Sequence, residues 1–257
     1  MDRRRVFTIV AVWTMPVVAA ALVAMGQRPL GASIDGTTLL RQVDRRLTPP
    51  SYEAYKRLIN VEPNGRTREY LLYQIADGRN KVAALFLSPA SDKGRSTLRL
   101  GENMWLYVPN AGRPVRITSL QSVVGGVFNN ADILALDYSS EYDVTSVDES
   151  GEHYLLELKA KTGRVAYDRL KLWVTRKETV PVRIECLTTT SMLIKTLHFK
   201  DTKDFGGGIV RPATVETDSP LYKGYTSSMV FVQMKARTFP GEVFTLTYMP
   251  NLQSVRQ

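Results

Sequence analysis

Short runs of alternating apolar and polar residues, separated by turn residues, dominate this 257-residue chain from residue 51 onward. A period of two is typical of β-strands with one buried face, because successive side chains of a strand point to opposite sides. Sequences such as Pro63-Asn64-Gly65, Asp77-Gly78 and Gly101-Glu102 supply the reversals. The predicted strands are 51–61, 66–76, 81–88, 95–100, 103–108, 114–118, 142–149, 152–160, 166–176, 180–188, 191–201, 210–217 and 225–237. Since no helical rhythm separates these runs, they favour one mainly β domain built as an antiparallel meander.

Only two segments have helical character. Asp35 or Thr37 can cap a helix that extends to residue 47 and presents one apolar face. Residues 119–135 predict short helices on either side of Phe128. We expect these segments to cover the mouth of a highly curved sheet and to leave an apolar cavity, the usual form of a lipid-binding site.

The turn at Gly101-Glu102 fixes the register of one predicted hairpin. A two-residue turn there pairs Leu98 with Trp105 and Leu100 with Asn103. On this register, Leu98, Leu100, Trp105 and Tyr107 share one face, and Thr97, Arg99, Met104 and Leu106 share the other. We interpret the first of these faces as the buried, concave one.

The residues that usually carry enzyme chemistry are sparse. His153 and His198 each lie in a strand pattern without Cys or His at ligand spacing, so no metal site is predicted. No Gly-x-Ser-x-Gly nucleophile motif occurs, and Gly206-Gly207-Gly208 lacks the Lys-Ser/Thr of a phosphate-binding loop. Cys186 is the only cysteine, which excludes an intrachain disulfide. The sequence therefore predicts a protein that is not an enzyme and needs no cofactor.

The N-terminus has the pattern of an export signal. Arg3, Arg4 and Arg5 precede an uncharged run from residue 6 to residue 26, and small residues follow at 31–33. The run is also long enough to cross the ~30 Å hydrocarbon core as a helix, so a retained anchor is the alternative to cleavage. We therefore predict that residues 1–32 are a signal peptide or an uncleaved N-terminal anchor. Residues 33–257 would then form an exported, periplasmic domain, tethered to the inner membrane if 6–26 are retained.

The charge balance fits a protein that works beside a membrane. The whole chain carries a net charge of +9, which falls to +6 without residues 1–32. This basicity suits anionic lipid headgroups, although an ordinary mixed-charge surface explains it as well. Export and the inward interpretation of Trp105 and Tyr107 argue against binding to nucleic acid.

Residues 101–142 contain a pattern similar to the bacterial outer-membrane lipoprotein-sorting family, in the branch of the LolA and LolB carriers. In that family the pattern reads G-x-x-x-W-x-Y-x-P and then Gly-Ser-x-Phe-Ser-x-x-Asp-Leu. Here it reads Gly101-Glu102-Asn103-Met104-Trp105-Leu106-Tyr107-Val108-Pro109, then Gly125-Gly126-Val127-Phe128-Asn129-Asn130-Ala131-Asp132-Ile133. Gly126, Asn129 and Ile133 depart from the family residues conservatively, and the resemblance covers most of residues 35–250.

This resemblance implies a single half-open antiparallel β-barrel of about 11 strands, with a short helical lid over a cavity for acyl chains. It further implies a monomeric carrier or acceptor that shields the acyl chains of lipoproteins during sorting to the outer membrane. We expect its partners to be lipoprotein acyl chains or another lipid, a membrane surface and, as a candidate, an inner-membrane ABC-type exporter. The residues expected to line the cavity are Leu98, Leu100, Trp105, Tyr107, Leu156, Leu158, Leu172, Val174 and Ile184. Those expected in the lid are Val123, Val124, Phe128, Ile133 and Leu134.

The sequence leaves two alternatives open, one for the site residues and one for the function. Each residue assigned to the cavity or the lid can instead be an ordinary core position. The same fold can also serve as an envelope-stress sensing or regulatory module, or as a tethered accessory of a membrane exporter, and retention of residues 6–26 would favour this second class.

Overall fold

The computed structural model describes residues 35–135 and 137–256. These ranges contain one antiparallel sheet of 13 strands and three short α-helices. The strands are β1 (Ser51–Val61), β2 (Thr67–Asp77), β3 (Lys81–Ser88), β4 (Ser96–Leu100), β5 (Asn103–Tyr107), β6 (Val115–Ile117), β7 (Tyr142–Ser150), β8 (His153–Ala160), β9 (Arg169–Thr175), β10 (Pro181–Leu187), β11 (Leu193–Asp204), β12 (Val210–Asp218) and β13 (Thr226–Ala236). The helices are α1 (Gly36–Leu47), α2 (Asn130–Ile133) and α3 (Tyr138–Glu141).

The sheet consists of two antiparallel meanders, β1 to β6 and β7 to β13, which are joined by the pairing of β1 with β13. Its strand order is β6-β5-β4-β3-β2-β1-β13-β12-β11-β10-β9-β8-β7, so the first strand pairs with the last. β6 and β7 are the two edges and do not pair with each other, which leaves the sheet open. The predicted mainly β, antiparallel architecture is confirmed. All 13 predicted runs form strands, rather than the expected total of about 11.

Each face of the sheet has its own hydrophobic core. The inner face, which carries Ala54 and Leu58 of β1, packs in the main core with α1 and residues 123–134. The outer face, which carries Tyr73 and Ile75 of β2, packs against the C-terminal segment. That segment contains two 3₁₀ helices, Gly241–Phe244 and Met249–Val255.

Local hydrogen bonds explain where the helices begin. The Asp35 carboxylate accepts a hydrogen bond from the Thr37 backbone N–H at 3.1 Å, as expected for an N-cap. Asn129 and Asp132 form a reciprocal capping box that starts α2. Of the short helices predicted within 119–135, the one before Phe128 does not form, and Gly125 and Gly126 there adopt φ of +69° and +72°, outside the right-handed helical region.

The predicted signal or anchor, residues 1–32, lies outside the described residues. Within the described ranges, none of the helices combines the length and the apolar character that crossing a bilayer requires.

Candidate functional site

A cavity of about 90 Å³ lies between the inner face of the sheet and the helices α1 to α3. Most of its wall is apolar or aromatic. These lining residues are Leu47, Tyr52, Phe128, Ala131, Ile133, Ala135, Tyr138, Tyr142, Ala166, Tyr167, Leu170, Ile184, Cys186, Leu197, Phe199, Val215, Met229 and Phe231. Pockets for whole ligands usually measure about 300–1,000 Å³. The cavity therefore has room for a small chemical group, and an acyl chain needs the helices to separate from the sheet.

The structure brings some of the predicted cavity residues to this site. Ile184 lies in the cavity wall. Leu156, Leu158, Leu172 and Val174 are fully buried in the same inner core, beside the cavity rather than in its wall.

The other four predicted cavity residues lie elsewhere. The register of the predicted hairpin is confirmed, with Leu98 opposite Trp105 and Leu100 opposite Asn103. The face, however, is the reverse of the expected one, because Leu98, Leu100, Trp105 and Tyr107 all pack in the outer core with the C-terminal segment. Both faces of this hairpin are largely buried, so its alternation alone did not identify the inner one.

The predicted lid residues all lie over the inner face. Phe128 and Ile133 line the cavity. Leu134 and Val124 are buried in the inner core, and Val123 packs against it from a partly buried position. These five residues come from one α-helical turn and the irregular segment before it, rather than from two helices.

Several buried polar side chains on the inner face were missed by the sequence analysis. Lys56 lies between the inward residues Ala54 and Leu58 of β1, and Arg211 is in phase with Ala213 and Val215 of β12. For both residues, the sequence signal was a charged side chain at a position that the two-residue period of the strand places on the apolar face. Gln74, Arg99 and Lys195 are likewise nearly inaccessible to solvent.

The carboxylates of the cavity wall are all engaged by other protein groups. Asp44 of α1 accepts hydrogen bonds from the backbone N–H groups of Tyr138 and Ser139 at 2.7 and 3.0 Å, and burial raises its pKa to about 6. Asp132 lies 2.9 Å from Lys195 Nζ. The two remaining carboxylates are also paired, Asp137 with Arg79 and Glu141 with Arg99.

Lys56 and Arg211 differ from these pairs, because neither has a carboxylate partner among the described residues. The Lys56 ammonium donates to the Ile133 carbonyl oxygen at 2.8 Å and lies 5.2 Å from the centre of the Phe231 ring. The Arg211 guanidinium stacks 3.8 Å from the same ring centre and donates to the carbonyl oxygens of Pro212 and Leu47. Burial, reinforced by the nearby Arg211 charge, lowers the pKa of Lys56 to about 7. Burial also lowers the pKa of Arg211 to about 10.

Gln74 completes the polar part of the cavity. Its amide nitrogen donates to the Tyr52 hydroxyl at 2.7 Å. Its Oε1 atom is buried and has no hydrogen-bond partner among the described residues. A buried acceptor without a donor costs free energy, so this atom is suited to a donor brought by water or a ligand.

Comparisons with known proteins identify the fold. A family model described as "Uncharacterized protein" matches residues 78–251. No curated protein matches the chain by sequence. Solved structures with similar folds include three that align over most of both chains. A LolA superfamily protein from Nitrosomonas europaea has a TM-score of 0.74 and 23% identity, covering 82% of this chain and 97% of that one.

The second structure is from Vibrio parahaemolyticus and is described as an outer membrane lipoprotein-sorting protein domain. Its TM-score is 0.70 and its identity 17%, over 84% of this chain and 98% of that one. A DUF1329 family protein from Desulfovibrio piger has a TM-score of 0.70 and 20% identity, over 83% and 97% of the two chains. The resemblance to the LolA superfamily seen in the sequence is therefore confirmed at the level of the fold.

Proposed function

Because this chain belongs to the family whose model matches residues 78–251 and has the LolA-superfamily fold, we propose that it binds acyl chains in the periplasm. Its cargo is the acyl part of lipoproteins destined for the outer membrane, and its role is to carry or accept that cargo rather than to catalyse a reaction. The cavity between the inner face and the three helices is the observation that carries this proposal.

The chemistry of the wall supports an acyl ligand. Each CH₂ group moved from water into an apolar site contributes about 0.8 kcal/mol, so a chain of ordinary length binds without specific polar contacts. The inner core beside the cavity offers leucine and valine side chains from β8 and β9 over which such a chain can extend. The cavity volume sets one condition, which is that α2 and the segment before it move outward when the chain enters.

The direct test is identification of the bound lipid. The full chain is exported in a Gram-negative host and purified without detergent, and its lipids are extracted and analysed by mass spectrometry. We expect acyl lipid or lipoprotein at a stoichiometry near one per protein. Delipidated protein should then bind the uncharged dye N-phenyl-1-naphthylamine, and a triacylated lipopeptide should displace the dye while the same peptide without acyl chains does not.

Matched variants of β13 locate the binding site. Met229 lines the cavity, whereas Val232 of the same strand is exposed. We expect Met229→Trp to weaken lipopeptide binding at least about tenfold by filling the cavity, and Val232→Trp to leave it unchanged. Absence of co-purified lipid together with failure to bind the lipopeptide would overturn the proposal.

A separate experiment decides between a diffusing carrier and a tethered acceptor. N-terminal sequencing of the protein recovered from cells shows whether residues 1–32 are removed. Removal agrees with a shuttle between membranes, since a shuttle must diffuse freely. Retention agrees with a tethered acceptor, or with a regulatory module or exporter accessory that uses the same acyl-binding fold.

A further inference from the structure

We propose that Lys56 and Arg211, together with Gln74, form an oxyanion site inside the cavity that receives the anionic headgroup of an acyl-chain ligand. The ligand class is a single acyl chain that ends in a carboxylate or a phosphate. This inference rests on the proposed acyl-chain binding and adds a second class of ligand, because the acyl chains of a lipoprotein end in uncharged ester and amide bonds.

The first argument is the unbalanced charge. Lys56 and Arg211 are 1% and 3% exposed and share the Phe231 ring, yet no carboxylate of the described residues pairs with either. Burying a cation without an anion is strongly unfavourable, and two cations in one cavity also repel each other. A ligand oxyanion placed between them removes both penalties.

The second argument is that the protein's own acids are already committed. Asp132 and Glu141 are bound to Lys195 and Arg99, and Asp44 holds the first backbone N–H groups of α3. None of them can approach Lys56 or Arg211 without breaking a contact that positions a helix. The positive end of the cavity is therefore available to an external anion.

The third argument is the orphaned acceptor of Gln74. Gln74 lines the same cavity, and its Oε1 atom is buried without a donor among the described residues. A protonated oxygen of a phosphate monoester, or a water bound to a carboxylate, supplies that donor. The cavity of about 90 Å³ has room for such a headgroup even before the helices move.

The test compares three ligands that share one C18 chain and differ only in the headgroup: oleate, oleyl phosphate and oleyl alcohol. Each is titrated against delipidated full-length protein loaded with N-phenyl-1-naphthylamine. We expect one or both anionic ligands to displace the dye at concentrations at least about tenfold below that of oleyl alcohol, as charge-assisted hydrogen bonds predict. The order of oleate and oleyl phosphate then identifies the source of the oxyanion.

Variants assign the effect to the site. Lys56→Met should reduce the ratio by which the protein prefers the anionic ligands over oleyl alcohol to less than about threefold. The control is Arg57→Met, which removes a neighbouring charge that is exposed and paired with Glu69. Thermal unfolding checks that both variants are folded, and the comparison in the unmodified protein stands without them.

The outcomes separate the two proposals. Equal displacement by all three ligands overturns the oxyanion site and leaves acyl binding intact. The same holds if Lys56→Met and Arg57→Met retain the same preference for anions. Failure of all three ligands to displace the dye, when the triacylated lipopeptide still displaces it, overturns the oxyanion site alone, and failure of the lipopeptide as well counts against acyl binding too.

Discussion

The ammonium nitrogen of Lys195 lies 2.9 Å from the Oδ2 atom of Asp132, and both side chains are almost completely buried. Asp132 also belongs to the capping box of α2 and accepts a hydrogen bond from the Tyr167 hydroxyl at 2.7 Å. Lys195 additionally donates to the Val127 carbonyl oxygen. The pair thus joins β11 to the one-turn helix that covers the cavity.

Removing one member of the Lys195–Asp132 pair should destabilise the folded protein. We expect Lys195→Met to lower the free energy of unfolding by about 3–5 kcal/mol, because it leaves the Asp132 carboxylate buried without its cation. Urea denaturation followed by circular dichroism measures the loss. The double variant Lys195→Met/Asp132→Asn should recover part of the stability, and a double variant as unstable as the single one would contradict this account.

Lys56 should make stability depend on pH in a defined direction. Burial beside Arg211 lowers the pKa of Lys56 to about 7, whereas the pKa of an unperturbed lysine is 10.5. Between these values the unfolded chain binds more protons, so this residue makes stability rise with pH. Below pH 7, we expect the free energy of unfolding of Lys56→Met to exceed that of the unmodified protein by a few kcal/mol. This difference in free energy should shrink toward pH 10.

The comparison with Lys56→Met is necessary because other groups of the cavity also titrate. Asp44, whose pKa is raised to about 6, contributes its own dependence at lower pH, and Arg211, whose pKa is lowered to about 10, contributes at the upper end of the range. Chemical denaturation at several pH values gives the difference directly. A difference that does not change between pH 6 and 10 would show that Lys56 keeps its proton in the folded protein.

The sequence predicts strands far better than it predicts which face of a strand lies inside. All 13 runs are found because alternation, turn glycines and hairpin geometry are local signals. The inner face of β4 and β5 was assigned wrongly because the C-terminal segment covers Leu98 and Trp105 from outside. That contact joins residues about 150 positions apart, and no local pattern encodes it.

The polar part of the cavity was overlooked for a related reason. Lys56 and Arg211 lie at inward positions of strands whose other inward residues are mostly apolar. From the local sequence alone, a single charged residue in a strand is predicted to face solvent. Their convergence on Phe231 depends on the pairing of the first strand with the last, where Lys56 lies opposite Phe231. Only the topology of the whole sheet brings these groups together.

Gly126 should be required for docking of the segment that precedes α2. A Cβ atom at this position would overlap Asn60 Oδ1 and Ser227 Oγ, and φ is +72°. Those two side chains bind this segment, since Asn60 donates to the Val124 carbonyl at 3.1 Å and Ser227 accepts from the Val127 N–H at 2.9 Å. We expect Gly126→Ala to lower stability by about 2–4 kcal/mol.

Gly125 provides the matched control for this prediction. Its φ of +69° is nearly the same, but a Cβ atom there meets no atom of the described residues within 4 Å. Gly125→Ala should therefore lose only about 1 kcal/mol from backbone strain. Thermal unfolding of both variants measures the difference, and equal losses would show that the contact with Asn60 and Ser227 is unimportant.

The C-terminal segment should stabilise the outer face independently of the cavity. Leu252 is 1% exposed and packs in the outer core with Tyr73 and Ile75, on the opposite side of the sheet from the cavity. We expect Leu252→Ala to lower the free energy of unfolding by about 2–5 kcal/mol, as for other large-to-small changes in a core. Leu246→Ala, at an exposed position of the same segment, should change it by less than about 0.5 kcal/mol.

Binding of N-phenyl-1-naphthylamine at a temperature where both variants are folded should equal that of the unmodified protein. Weaker dye binding by folded Leu252→Ala would mean that the outer core supports the cavity, since the two cores share the strands between them.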